Sequence, residues 1–366
     1  LFLKYTKFLV TIPFYFRIIV KKKENILGGK ALNKYGITTE RKNTEDFLRI
    51  GKEIQERIGI DFDLKVETQV VTYYHTKPDH GDLDLLIKID DYFHNTKIDI
   101  KTYIEEAFNP RKIHNNGGVY SFDYQNFQID FIPVRQSKWE TAKTYYSYDP
   151  LGNIMGKTFH KFGLSYGWDG LFYKFRNFNG RNSQNILLST DAEKIFKFGG
   201  YNYERYLQGF ETLEDILDFT IDSKFFDSEI FQMDNLKSID KKRNRKRGSY
   251  HVFLKYLKDN NINIRYNFYK EKELYLPMID VYFPEAKLMD KLSELLRIDS
   301  VNKILSQKFN GDLVISWLPK LQGKELGHAI RMFKESFDDD EDYREFILNA
   351  NYAAIEERFM STYNEQ

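Results

Sequence analysis

Asp82 and Asp84 stand two residues apart in the otherwise apolar run His80-Gly-Asp-Leu-Asp-Leu-Leu-Ile87. Side chains alternate across a strand, so the two carboxylates share one face while Leu83 and Leu85 take the other. Their Cα atoms are expected about 6–7 Å apart, from about 3.3 Å of rise per residue. Two like charges at that spacing repel, and one pKa must rise unless cations sit between them. Divalent ions about 4 Å apart would relieve the repulsion, which is the arrangement of two-metal phosphoryl transfer. A third acid, Asp130, lies in Phe127-Gln-Ile-Asp-Phe-Ile132, where Phe127, Ile129 and Phe131 alternate with it. Between the two strands there is room for a helix (about 99–108) and a returning hairpin.

A strand bearing Asp-x-Asp, followed by a later strand with one more Asp, resembles the DNA polymerase β-like nucleotidyltransferase superfamily. The resemblance implies that Asp82, Asp84 and Asp130 hold two Mg²⁺ ions, with Mn²⁺ as a substitute, one of them arriving with a nucleoside triphosphate. The family places a Gly-Ser turn nine to thirteen residues before the paired acids. Here Val71-Thr72 stands in that place. Thr72 offers a hydroxyl to a phosphate, but Val71 lacks the freedom of glycine to take a positive φ. Lys77 and His75, on the loop into Asp82, are the expected replacement phosphate donors. The stretches Lys77-Pro-Asp-His-Gly-Asp-Leu-Asp-Leu-Leu86 and Tyr146-Ser-Tyr-Asp-Pro-Leu-Gly-Asn153 also resemble uncharacterised nucleotidyltransferase-like proteins of large bacteriophages. That likeness extends from about Asn25 and implies a cytoplasmic protein, phage-encoded and acting in its host.

The expected activity is transfer of NMP from an NTP, ATP among them, to a hydroxyl, with release of pyrophosphate. An RNA 3′ end is the first acceptor and DNA the second. Two alternatives stay open: a toxin or regulator of the same fold that modifies tRNA or protein, and a catalytically silent nucleic-acid-binding relative. Lys241-Lys-Arg-Asn-Arg-Lys-Arg247 has six basic residues in seven. Arg243, Arg245 and Arg247 are therefore expected to contact a nucleic-acid backbone; the bland alternative is a solvated loop, paired with Asp338-Asp-Asp-Glu-Asp342. Gly323-Lys-Glu-Leu-Gly327 is similar to a turn among the RNA-holding helices of tRNA nucleotidyltransferases, or else it serves helix packing. Tyr145, Tyr146 and Tyr148 are either base-stacking or packing residues.

The elements that must position these groups follow from periodicity. The fold class expected is α+β: a polymerase β-like mixed sheet with flanking helices, then a mostly helical C-terminal region. Asn43–Ile58 carries Phe47, Ile50, Ile54 and Ile58 at helical spacing behind capping residues. Strands are expected at 66–74 and 81–89, with a hairpin of 119–122 and 127–134, a helix at 137–146 and a turn at 149–152. This gives a catalytic core over 25–150, a mixed extension over 151–275 and a helical region over 276–366. In the extension, helix starts are expected at Thr190-Asp-Ala-Glu193 and Thr212-Leu-Glu-Asp215. In the last region Pro284 opens a helix and Asn310-Gly311 stops one.

Composition bounds the rest. Of 366 residues, 42% are hydrophobic and 16% aromatic, enough for sizeable cores, and the net charge is +1. There is no cysteine, which excludes disulfides, thiolate catalysis and Cys-zinc sites. The seven histidines form no His-Glu-x-x-His or similar cluster, against a His-zinc enzyme. Gly28-Gly-Lys30 is too short for a Walker loop. Residues 1–24, which start with Leu, are expected to be an upstream translated stretch, an extra packed element or a weak membrane anchor, in that order, and no membrane partner is expected. The NTP, the acceptor and the oligomeric state are not legible.

Overall fold

The structure, a computed structural model, describes residues 29–89, 99–180 and 183–365. The tail of residues 1–24 lies outside the described residues. Helix α1 (Thr44–Asp61) forms behind a polar cap: the Asp46 N–H donates to the Asn43 side chain at 2.8 Å. Phe47, Ile50, Ile54 and Ile58 are all buried along one side of it. Strands β1 (Lys42–Asn43), β2 (Thr68–Val70), β3 (Asp79–His80) and β4 (Asp82–Ile89) lie on either side of or after this helix. Helix α2 (Ile100–Phe108) and strands β5 (Ile113–Asn116), β6 (Val119–Tyr124) and β7 (Phe127–Arg135) follow.

β1 and β3 clip the start of α1 to the approach of β4, while the main sheet has the order β2-β4-β7-β6-β5. β4 and β7 are parallel and the remaining pairs antiparallel, so the sheet is mixed. Gln125 and Asn126, at φ 50° and 59°, make the two-residue turn that joins β6 to β7. β2 is shorter than its sequence predicts, because the chain leaves the sheet at Thr72. There Tyr148 N–H donates to Thr72 C=O, and the N–H groups of His75 and Thr76 donate to Phe210 and Glu211.

One face of β4 and β7 carries Leu83, Leu85, Ile87, Ile129 and Phe131 into an aromatic core with α1 and α2. Phe131 sits edge-on to Phe122 and Phe108, with ring centres 4.9 and 5.7 Å away. The other face buries Leu86, Ile132 and Val134 under Trp139 and Ala142 of α3 (Trp139–Tyr146). Only the N-terminal ends of β4 and β7 on this second face carry acids.

Beyond the sheet, helix α4 (Leu151–Lys161) opens at the expected 149–152 turn, and strands β8 (Leu164–Gly167), β9 (Gly170–Arg176) and β10 (Ser183–Ser189) form an antiparallel sheet. Helices α5 (Ala192–Phe198), α6 (Tyr203–Leu207), α7 (Leu213–Ile221), α8 (Ser238–Asn244), α9 (Gly248–Asp259) and α10 (Leu276–Tyr282) follow it along the chain. The cap of α5 is Asp191, not Thr190, whereas Thr212 and Asp215 form the expected capping box of α7. Helix α11 (Leu288–Lys308) leads to α12 (Gly311–Trp317), α13 (Gly323–Glu335), α14 (Asp340–Asn349) and α15 (Tyr352–Asn364), packed around Phe309, Phe333 and Phe359. Asn310 both stops one helix, as expected, and starts the next: its side-chain amide donates to the Ser306 C=O in the last turn of α11 at 3.0 Å, and its Oδ1 accepts the Leu313 N–H of α12 at 2.9 Å. The architecture is thus α+β with a helical C-terminal region. Among the described residues, no helix is long and apolar enough to cross a membrane.

Phe131→Ala removes a fully buried ring from the core beneath the acids and should cost about 3–5 kcal/mol. Urea unfolding of the parent and the variant measures it. A loss below about 1 kcal/mol would mean the sheet does not depend on this packing.

Candidate functional site

Parallel pairing of β4 with β7 brings Asp84 into register with Asp130, and Asp82 into register with Gln128. Cross-strand neighbours in register share a face, so the three acids expected from the sequence lie together. Each keeps a little solvent contact, yet enough protein surrounds them that burial dominates their titration. Burial, then the charges of Asp82 and Asp130, push the Asp84 carboxyl well above the usual range. Asp82 is raised by burial and by Asp149, against the hydrogen bond from Gly29. Asp130 is pushed up to about 7 by burial and Asp82, against hydrogen bonds from Ser121 and Gln128.

Two of these carboxylates are held by groups that the sequence did not single out. Gly29 N–H donates to Asp82 Oδ2 at 2.9 Å. Gln128 Nε2 donates to both oxygens of Asp130 at 3.0 and 3.2 Å, and its own Oε1 accepts the Ala31 N–H at 2.9 Å. Gly29, within the motif set aside as a Walker loop, therefore serves at the site as a strap. Gly29 has φ 73°, and a Cβ there would meet the Gly81 carbonyl oxygen at 2.1 Å, so only glycine fits. Gln128 had a legible signal: it shares the strand parity of Asp130 in an apolar strand. Gly29 had none, since its role depends on a contact more than fifty residues away.

A cleft of about 100 Å³ opens on Asp82 and Asp84 and is also lined by Thr72, Lys77, His80, Tyr146, Tyr148, Asp149 and Ser249. Thr72 and Lys77 are thus brought to the acids. Burial pulls the Lys77 ammonium below its ordinary range, while Asp82, Asp149 and Asp84 pull it back up. His75 is not at the cleft: its Nδ1 pairs with Glu211 Oε2 at 3.1 Å on the exposed junction with the extension. His80 is, but it is stacked on Phe47 at 3.8 Å, and burial lowers it to about 3, so it is a neutral packing group. Val71 and Thr72 make no left-handed turn; Val71 N–H donates to Asp84 C=O at 2.9 Å, alongside β4. Tyr148 packs edge-on to Phe210 and Tyr206.

The basic run splits between elements. Arg243 is on α8, and Arg245 and Arg247 lie in the link to α9, all three exposed. Burial raises the Tyr145 hydroxyl, Arg247 and Arg243 oppose that rise, and Asp169 and Asp149 add to it, so the run lies near Tyr145 beside the cleft. Among the described residues it makes no ion pair with the acidic run, where Asp339 instead caps α14.

The donor set is suited to a hard divalent cation: three carboxylates, oxygen donors only, whose mutual repulsion calls for positive charge. Among the described residues, however, no three acids or histidines are already arranged around one point. Asp82 and Asp130 are turned to Gly29 and Gln128, so side-chain rotation would have to accompany metal binding.

A carboxyl raised in the folded state binds more protons than in the unfolded chain, so stability falls as pH rises from about 4 to about 7. Without divalent metal, the thermal midpoint should be higher at pH 5.5 than at pH 8. Asp84→Asn should raise it at pH 8 by a few degrees. Scanning calorimetry in chelator checks both, and a metal-free parent that is more stable at pH 8 would contradict the crowding.

No family model and no curated protein matches the chain, so the reading of this site rests on its own residues.

Proposed function

We propose that the chain is a metal-dependent nucleotidyltransferase of the polymerase β-like kind, which transfers NMP from an NTP to a hydroxyl and releases pyrophosphate. The observation that carries the reading is the pairing of Asp84 with Asp130 on adjacent parallel strands, with Asp82 two residues earlier on the same face. Asp82, Asp84 and Asp130 would hold Mg²⁺ or Mn²⁺, which when bound supplies charge neutralisation and a lowered pKa for the attacking hydroxyl. The chain's own residues do the positioning. Gly29 and Gln128 hold the Asp82 and Asp130 carboxylates until they turn towards metal, and Lys77 and Thr72 line the cleft where they would face the phosphates.

The cleft is smaller than the roughly 300–1,000 Å³ of a site that engulfs a whole ligand. It suits the metals and phosphates, with base and acceptor lying in its open part. The exposed basic run at its edge favours a nucleic-acid acceptor, an RNA 3′ end first and DNA second.

Asp84→Asn removes charge at nearly constant volume and should lower NMP transfer at least about a hundredfold, as loss of a principal electrostatic group does. Each labelled NTP, incubated with total RNA, DNA or protein and Mg²⁺, measures it; comparable transfer by variant and parent would remove the two-metal mechanism. For the acceptor, Arg243→Ala with Arg245→Ala should weaken oligonucleotide binding and make its salt dependence shallower, because fewer counterions are released. A salt slope unchanged from the parent would make the run a solvated loop.

A further inference from the structure

The Val71-Thr72 segment leaves the triphosphate without the expected turn, and the cleft offers a different holder. Its lining includes Ser249, in the first turn of the twelve-residue helix α9. Ser249 is only 8% exposed, and its hydroxyl has no hydrogen-bond partner among the described residues. The start of α9 is not capped by a side chain, since Arg247 stands at the capping position. The N–H groups of Gly248, Ser249 and Tyr250 find no protein acceptor among the described residues. Such a helix start carries partial positive charge and N–H groups that suit phosphate oxygens.

The corner is firmly built. Tyr250 is fully buried and donates its hydroxyl to Phe231 C=O at 2.6 Å. Lys157 pairs with Asp240 at 3.0 Å, tying α8 to α4. Neither the Arg243 nor the Arg247 guanidinium is paired among the described residues. Among the described residues, the acids near this corner include Asp149, which lines the cleft, Asp169 near Tyr145, and Asp240, which acts on Tyr250 and is paired with Lys157.

We propose that the start of α9, through the Ser249 hydroxyl, the backbone N–H groups of residues 248–250 and the Arg247 guanidinium, holds the terminal phosphates of the nucleoside triphosphate. This rests on the nucleotidyltransferase reading and deepens it. The carboxylate side of the cleft, with its metals, takes the reacting phosphate, and α9 takes the end that leaves as pyrophosphate. Arg247 is thereby drawn out of the acceptor-binding run and given to the nucleotide.

The test uses the full chain with Mg²⁺ and titrates inorganic tripolyphosphate, an NTP and a 5′-phosphorylated oligonucleotide by calorimetry. Ser249→Asp places a negative charge at the helix start; Arg247→Ala removes the guanidinium. Each should weaken tripolyphosphate and NTP about tenfold, the size of one charge-assisted hydrogen bond, and leave the oligonucleotide unchanged. Lys258→Ala, at the other end of α9, removes an equal charge and should change none of the three. Circular dichroism reports folding, and if Ser249→Asp does not fold, Ser249→Ala takes its place with the same direction expected. Unchanged tripolyphosphate affinity in these variants, or a loss confined to the oligonucleotide, would overturn the proposal. Transfer activity separates it from the underlying reading. Activity abolished by Asp84→Asn, with tripolyphosphate binding indifferent to Ser249 and Arg247, refutes the α9 site alone. Tripolyphosphate binding that depends on α9, with transfer that survives Asp84→Asn, leaves the phosphate site standing and refutes the two-metal mechanism.

Discussion

Repulsion among three carboxylates on one sheet face is the constraint around which this molecule is organised. Asp84 faces Asp130 in register with Asp82 beside them, and burial raises all three toward the protonated form. A packed strand gains nothing from such crowding. The surrounding structure accommodates it with oriented dipoles: an N–H from Gly29 on Asp82, and a Gln128 amide on Asp130 that is itself held by Ala31. Lys77 contributes a cation whose own charge is weakened by burial. These groups orient the acids but leave negative charge unbalanced, which is the condition for binding divalent ions.

The fold makes this possible by separating the two faces of β4 and β7. An aromatic layer below, centred on Phe131, fixes strand register, and register alone decides whether Asp84 meets Asp130. A slip by one residue would put the acids into that layer. Above, α3 covers the C-terminal ends of the same strands and leaves only the acid-bearing ends open. The extension then closes the cleft from another direction, with Ser249 on α9 and the hydrogen bonds that tie residues 72–76 to 210–211 and Tyr148.

Much of the site was legible in the sequence because it is periodic. Alternation in 80–87 and 127–132 predicts the shared face, and helical spacing with capping residues predicts α1 almost to its ends. Local signals failed where a residue's role depends on distant partners. Asn310 carries the mark of a helix end and of a helix start alike and serves as both, through Ser306 and Leu313, where only the stop was expected. His75 follows a strand as a phosphate donor would, yet the strand ends early and the imidazole meets Glu211. Gly29 and Ser249 reach the site only through tertiary packing, with no pattern in the neighbouring residues to announce it.

The central claim is that Asp82, Asp84 and Asp130 close around divalent ions. Crystals soaked with Mn²⁺ and a non-hydrolysable NTP, read by anomalous diffraction, test it most directly. Two manganese peaks about 4 Å apart are expected among these three carboxylates, with Asp82 and Asp130 rotated toward them. Carboxylates still turned to Gly29 and Gln128, with no manganese between them at saturating concentration, would contradict it.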